Sequence, residues 1–132
     1  MKQAELRGDI FSIFAVNEAG AALRLDYGDA AFLFPLGLDA RGATDLALRR
    51  QVAPATVILA PKHGGKDSVS ALFLDAASPS VVVITLGAGN PEGDPQAGTL
   101  ALFEGRTVLR TDERGALHFT TDGKQLWAES ER

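Results

Sequence analysis

The sequence predicts an α/β protein with a mixed β-sheet and covering helices, and three observations carry this prediction. Short apolar or alternating runs at residues 10–16, 22–26 and 30–34 are typical of antiparallel strands. Continuous apolar runs at residues 56–60 and 81–85 are typical of strands that are buried on both faces and covered by helices. A segment with helical spacing separates these two runs, which indicates a βαβ unit.

The early strands and the first βαβ unit are bounded by recognisable stop signals. Turns are expected at residues 17–20 and 27–29, where Gly, Asn and Asp cluster. The helix of the βαβ unit contains apolar residues at helical spacing from 69 to 77, with Asp67 and Ser68 as candidates for its N-terminal cap. Ser78-Pro79 ends this pattern.

The last third predicts one more parallel strand and a terminal hairpin. A weaker helix at 96–103 leads to a strand at 107–110, and right-handed crossovers place this strand in the same parallel sheet. Strands at 116–121 and 125–128 flank Asp122-Gly123, a dipeptide suited to a two-residue type I′ turn.

These elements predict one domain over residues 1–132. It divides into hairpin strands at 1–36, β/α units at 37–110 and a C-terminal hairpin at 111–128. A chain of 132 residues that is 45% hydrophobic can bury a core without disulfides or metal ions.

Composition excludes several classes of site and partner. The chain has no cysteine, so disulfides, thiolate nucleophiles and cysteine metal sites are excluded. A net charge of -4 argues against a generic nucleic-acid-binding protein.

Without an apolar run of about 20 residues we expect a soluble chain that makes no membrane contact. Residues 1–5 lack the apolar stretch of a secretory signal. The compartment stays open: cytoplasmic if Met1 is the true start, or extracytoplasmic if the domain was cut from a membrane protein.

The loop at residues 61–68 is the best local candidate for a binding site, because it follows a buried strand and opens a helix. Free backbone amides and the helix dipole can hold an anion at such a place. The candidate residues are Lys62, His63, Gly64, Gly65 and Lys66, with Asn90 from the glycine-rich loop at 87–93. The loop departs from a P-loop, since Asp67 follows the lysine. An ordinary strand-to-helix turn remains the alternative.

Catalytic and metal-binding constellations are not evident elsewhere. The chain has two histidines, His63 and His118, which is too few for a usual His-rich zinc site. On a strand, His118 points away from the side of Leu117 and Phe119, toward solvent or a partner. The aspartates are scattered among turns and helix starts, where capping and turn formation explain them. We therefore expect no catalytic residue and no cofactor.

Several stretches, taken in order and spacing, resemble a known family. They are residues 22–25, 32–34, 57–64, 82–90 and 109–116. Together they resemble the C-terminal half of the metallo-β-lactamase-like domain of ComEC competence proteins, which take up DNA in bacteria. The resemblance spans nearly the whole chain and implies half of an αββα sandwich, so that one sheet face lacks its partner layer. It implies a homodimer, or an upstream N-terminal half of a larger protein, that covers this face.

The sequence departs from the family at the positions that imply metal binding. The family's Thr-Gly-Asp triplet matches a stretch ending at Gly37, so its carboxylate is absent. Its His-His-Gly motif has Lys62 at the first histidine, and an ammonium group has no lone pair to offer a metal. Its Gly-His-Pro triplet has Asp94 at the histidine. The pattern indicates loss of an ancestral metal site.

The resemblance and its departures imply a non-catalytic module of DNA uptake, structural or DNA-associated. One alternative is a metal-dependent phosphodiesterase or nuclease whose ligands come from another half or subunit. A further alternative is a module that binds an anion or another small ligand through the loop after residue 60. DNA is a possible partner through the resemblance alone.

Overall fold

A computed structural model describes residues 20–132 in full and residues 2–6 and 9–17 as strand backbone. Part of the turn expected at 17–20, residues 18 and 19, lies outside the described residues. The elements in chain order are β1 (Lys2–Leu6), β2 (Asp9–Asn17), β3 (Gly20–Tyr27), β4 (Ala30–Leu36), α1 (Ala40–Leu48), β5 (Val57–Leu59), a 3-10 helix (Pro61–Gly64), α2 (Ala71–Ala77), β6 (Val81–Ile84), α3 (Ala97–Leu102), β7 (Thr107–Arg110), α4 (Thr111–Arg114), β8 (Leu117–Thr121) and β9 (Leu126–Ser130).

The main sheet has seven strands, and their spatial order is their order in the chain, from β1 to β7. Strands β1 to β4 form an antiparallel meander, whereas β4, β5, β6 and β7 pair in parallel. The α/β class and the mixed sheet predicted from the sequence are confirmed. Strands β8 and β9 form a separate two-stranded sheet.

Helices cover one face of the main sheet. The buried core joins inward strand residues to residues of the helices and their connections, and its largest members include Leu33, Ile58, Val82, Ile84, Phe73, Leu74 and Phe103. In β5 and β6 the core takes alternate residues, namely Ile58, Val82 and Ile84. Since successive strand residues point to opposite faces, Val57, Leu59 and Val83 lie on the other face. The expectation that helices cover these strands therefore holds for one face only.

The N-terminal cap of α2 differs from the sequence prediction. The cap is Ser70, whose hydroxyl accepts a hydrogen bond from the Phe73 amide at 3.2 Å. Neither Asp67 nor Ser68 caps the helix: the buried Ser68 hydroxyl instead donates to the Gly65 carbonyl at 2.6 Å. The loop makes one more turn before the helix starts, because its polar groups are satisfied within the loop itself.

The prediction of a two-residue type I′ turn in the terminal hairpin is wrong. Thr121 pairs with Leu126, which leaves a four-residue loop. Asp122 lacks the positive φ that a type I′ turn requires, whereas Gly123 has a φ of 93°. The Asp122 carboxylate accepts hydrogen bonds from the amides of Lys124 and Gln125 at 2.9 and 2.8 Å. These bonds stabilise the wider turn.

The terminal hairpin is hydrogen-bonded to the main sheet at the turn between β3 and β4. The Asp29 amide donates to the Gly123 carbonyl at 2.6 Å. A Cβ on Gly28 would lie 2.3 Å from that same carbonyl oxygen, so the two backbones are in direct contact. Beneath the hairpin, Phe119 meets Phe32 edge to face, with ring centroids 6.2 Å apart. The hairpin thus lies over the sheet face that the helices leave bare.

Candidate functional site

A cleft lies where loops follow the carboxyl ends of β5 and β6, the usual place for binding sites in parallel sheets. It is lined by His63, Leu86, Gly87, Asn90, Glu92 and Asp94 and has a volume of about 380 Å³. The 3-10 helix after β5 supplies His63, and the loop after β6 supplies the other residues. Of the six candidates for anion binding, His63 and Asn90 share this cleft.

The His63 ring is held at the rim of the cleft by the end of β6. Its Nδ1 hydrogen-bonds to the carbonyl oxygen of Thr85 and lies 3.3 Å from the Thr85 hydroxyl. Because a carbonyl only accepts, this bond assigns the proton to Nδ1 and leaves Nε2 as the acceptor of the neutral ring. The backbone of His63 has a φ of 56°, a left-handed conformation that non-glycine residues seldom adopt.

Asn90 clamps the loop after β6. Its Nδ2 donates to the carbonyl oxygens of Gly87 and Asp94, at 3.3 and 2.8 Å. Its Oδ1 accepts from the Asp94 amide at 2.8 Å. The side-chain amide is thus bound to the loop's own backbone on both its donor and its acceptor side.

Asp94 lies where the two loops meet. Its carboxylate accepts a hydrogen bond from the Gln96 side chain at 3.1 Å. A Cβ on Gly65 would lie 3.3 Å from an Asp94 carboxylate oxygen, so the glycine allows the two loops to approach closely. The Gln96 amide also donates to the Gly64 carbonyl at 3.1 Å. Asp94 therefore lies where the loop after β6 approaches the loop after β5.

The remaining candidates for anion binding are not brought together with His63 and Asn90. Lys66 lines a separate cleft, with Gln96 and Thr99 among its neighbours. Lys62 is exposed and lines neither cleft. Gly64 and Gly65 are buried, and the Gly65 carbonyl accepts from the hydroxyls of Ser68 and Thr99. In the His63 cleft, the carboxylates of Glu92 and Asp94 repel an anion.

Gly37, another position at which the sequence departs from the family it resembles, lies in the turn after β4. Its φ is 75°, a backbone conformation that suits glycine. Two residues on, Asp39 caps α1 by accepting from the Gly42 amide at 2.8 Å. That hydrogen bond is the main cause that holds the pKa of Asp39 below its usual value, and the Lys62 ammonium adds to the effect. The carboxylate near the strand end is therefore engaged in capping.

Among the residues that the structure describes, no group of three or more His, Cys, Asp or Glu side chains is placed to hold a metal ion. Sequence reasoning missed Thr85, Glu92 and Gln96, which position or line the His63 cleft. Their position after the end of β6 was the available signal, but their residue types carry no motif.

A second concave region, the apolar groove, lies on the bare face of the main sheet beside the hairpin. Its volume is about 490 Å³, and its lining includes Leu25, Phe32, Phe34, Leu59, Val83 and Phe119. Tyr27 and Thr121 supply hydroxyl groups, and the described side chains that line the groove include no charged group. The resemblance implied a face without its partner layer but gave no position for a groove.

No protein-family model matches the chain, and no curated protein matches its sequence. In the part of the chain that the structure describes, no helix has both the length and the apolar character that crossing a bilayer demands.

Proposed function

We propose that this protein is a non-catalytic, degenerate metallo-β-lactamase-like domain related to ComEC, which serves as a structural or DNA-associated module of DNA uptake. One observation carries the proposal: polar side chains at the loop ends bind the protein's own backbone or neighbouring side chains. Asp39 caps a helix, His63 binds the Thr85 carbonyl, and Asn90 closes its own loop. A hydrolytic metal site instead needs several such groups turned toward one ion.

The three substituted positions support the same proposal. Gly37 has no side chain to offer, and the ammonium group of Lys62 repels a metal cation. Asp94 keeps a carboxylate, but that carboxylate accepts a hydrogen bond from the Gln96 side chain and lies close to Gly65 of the neighbouring loop. The competing function, a phosphodiesterase completed by another half or subunit, would have to supply nearly all of its metal ligands from outside these residues.

We further propose that a polypeptide partner covers the sheet face that the helices leave bare. The face carries Phe34 and Leu59, both partly exposed in a groove whose described lining includes no charged side chain. An apolar surface of this kind is typical of an interaction site. A second copy of the chain, or an upstream half of a longer protein, would each provide the covering layer.

A cleavage and binding assay on labelled DNA tests the functional proposal. We expect no cleavage of single- or double-stranded DNA with Mn²⁺ or Zn²⁺, since the described residues include no cluster of ligands for the ion. In the DNA-associated version, single-stranded DNA binds with an affinity that falls as salt rises. The assay compares the wild-type chain with two variants, His63→Ala and Lys62→Ala. Metal-dependent cleavage that His63→Ala abolishes would overturn the proposal.

A further inference from the structure

We infer that the apolar groove binds an extended β-strand of a partner polypeptide, whose backbone pairs with the free edge of β8. The inference rests on the proposed covering of the bare face and adds the mode of binding. Two observations support it: the apolar character of the groove floor, and the position of a strand with one unpaired edge beside that floor.

The floor of the groove accepts apolar side chains and rejects charged ones. It consists of residues from β3, β4, β5 and β6 that point away from the helices, such as Leu25, Phe34, Leu59 and Val83. The described lining has no charged group to pair with an ion, so a buried charge there would keep its full desolvation cost. The occupant therefore presents uncharged, apolar groups to the floor.

One wall of the groove is β8. The hairpin contributes Phe119 and Thr121 to the described lining, both from β8, and no residue of β9. Strand β9 pairs with β8 along one edge. Over residues 117–121, the described backbone makes no other backbone hydrogen bond. Among the described residues, the edge of β8 opposite β9 therefore has unpaired N–H and C=O groups and lies beside the groove, and such an edge is a template for another strand.

The alternation of side chains along β8 defines the pattern of the occupant. Leu117, Phe119 and Thr121 are half-buried on the sheet side, whereas His118 and Thr120 are exposed on the outer side. A strand added beside β8 continues this pleat, with alternate residues turned down onto the floor. The occupant thus has apolar residues at every second position and polar residues between them.

Panning of a phage-displayed library of random peptides, each about seven residues long, against the immobilised full chain tests the inference. We expect selected peptides with apolar residues at alternate positions. Binding of a selected peptide should protect amides within residues 117–121 from hydrogen exchange, because pairing with β8 engages them. Leu59→Lys should weaken that peptide's binding by about tenfold or more, because it places a charge in the floor.

Leu48→Lys is the matched control, because Leu48 is 68% exposed at the end of α1 and does not line the groove. It should leave peptide binding unchanged. Selected peptides with apolar residues at helical spacing, or no selection at all, would overturn the inference. Binding that depends on Leu59 but leaves the β8 amides unprotected would also overturn it, while the proposed covering of the face would stand. DNA cleavage is measured separately, so a failure of the non-catalytic assignment is distinguishable from both results.

Discussion

At the scale of single residues, an ion pair and a hydroxyl group lie side by side where β7 ends, and the hydroxyl group binds the loop after β6. Arg110 binds the carboxylate of Asp112 through Nε and Nη2, at 3.0 and 2.6 Å. Between them, the Thr111 hydroxyl accepts from the Leu86 amide and donates to the Leu86 carbonyl, both at 2.9 Å. The short helix α4 therefore fastens the loop that carries Asn90.

Asp112 should make stability depend on acid pH. The hydrogen bond from Arg110 is the main cause that lowers the pKa of Asp112 below its ordinary value. A carboxyl group with a lowered folded pKa stabilises the fold above its unfolded pKa of about 3.9. That contribution is lost as pH falls through the folded pKa. Asp112→Asn should lower stability at neutral pH and reduce the loss of stability on acidification.

Urea unfolding followed by the fluorescence of Trp127, the one tryptophan of the sequence, measures this effect across the acid range. Asp45→Asn is the control, because it breaks an ion pair with Arg49 in which both side chains are largely exposed. Such pairs contribute about 0–1 kcal/mol. An Asp112→Asn protein with the stability of the wild type at every pH would contradict the role given to this pair.

At the scale of elements, the sequence predicts most strands and the helix of the βαβ unit, because hydrophobic periodicity is a local property, whereas β1 and α4 were not predicted. The strand Thr107–Arg110 was predicted with its bounds, and the hairpin strands to within a few residues. The cap at Ser70 and the wide turn after Thr121 were missed, because several nearby Ser and Asp residues were equally plausible partners. The buried Ser68 hydroxyl binds the Gly65 carbonyl and so does not cap the helix, and the hydrogen bonds to Asp122 stabilise the wide turn. Neither set of hydrogen bonds is visible in the local sequence.

Because the turn at Gly28 contacts the terminal hairpin, Gly28→Ala should lower the free energy of unfolding. The new Cβ would lie 2.3 Å from the Gly123 carbonyl oxygen, and the residue has a φ of 57°. Gly105→Ala shares the positive φ, at 86°, but its Cβ meets nothing within 4 Å. Each alanine costs about 1–2 kcal/mol through its backbone conformation. Gly28→Ala should lose about 1–3 kcal/mol more, because the overlap displaces the hairpin.

The free energies of unfolding of the two glycine variants in urea test this prediction. The emission of Trp127 in the folded state gives a second readout, since Trp127 lies on β9. We expect a change in emission for Gly28→Ala and none for Gly105→Ala. Equal losses of stability in the two variants would show that the contact between the turn and the hairpin contributes little.

At the scale of the whole molecule, a seven-stranded sheet carries helices on one face and a single hairpin on the other. The sequence predicted the class of fold, and the resemblance to ComEC led us to expect a face without its partner layer. The groove could not be located, because its lining comes from β3 to β6 and from β8, which are distant in the chain. The separation of Lys62, His63 and Lys66 was equally hidden, because one loop carries all three in sequence.

We propose that the polar side chains at the strand ends hold loops and helix caps together and do not bind a metal ion. Calorimetric titration of the purified chain with Zn²⁺ and Mn²⁺ near neutral pH tests it most directly. We predict no saturable site, and His63→Ala should give the same heats as the wild type. Stoichiometric binding that His63→Ala or Asp94→Ala removes would contradict the claim.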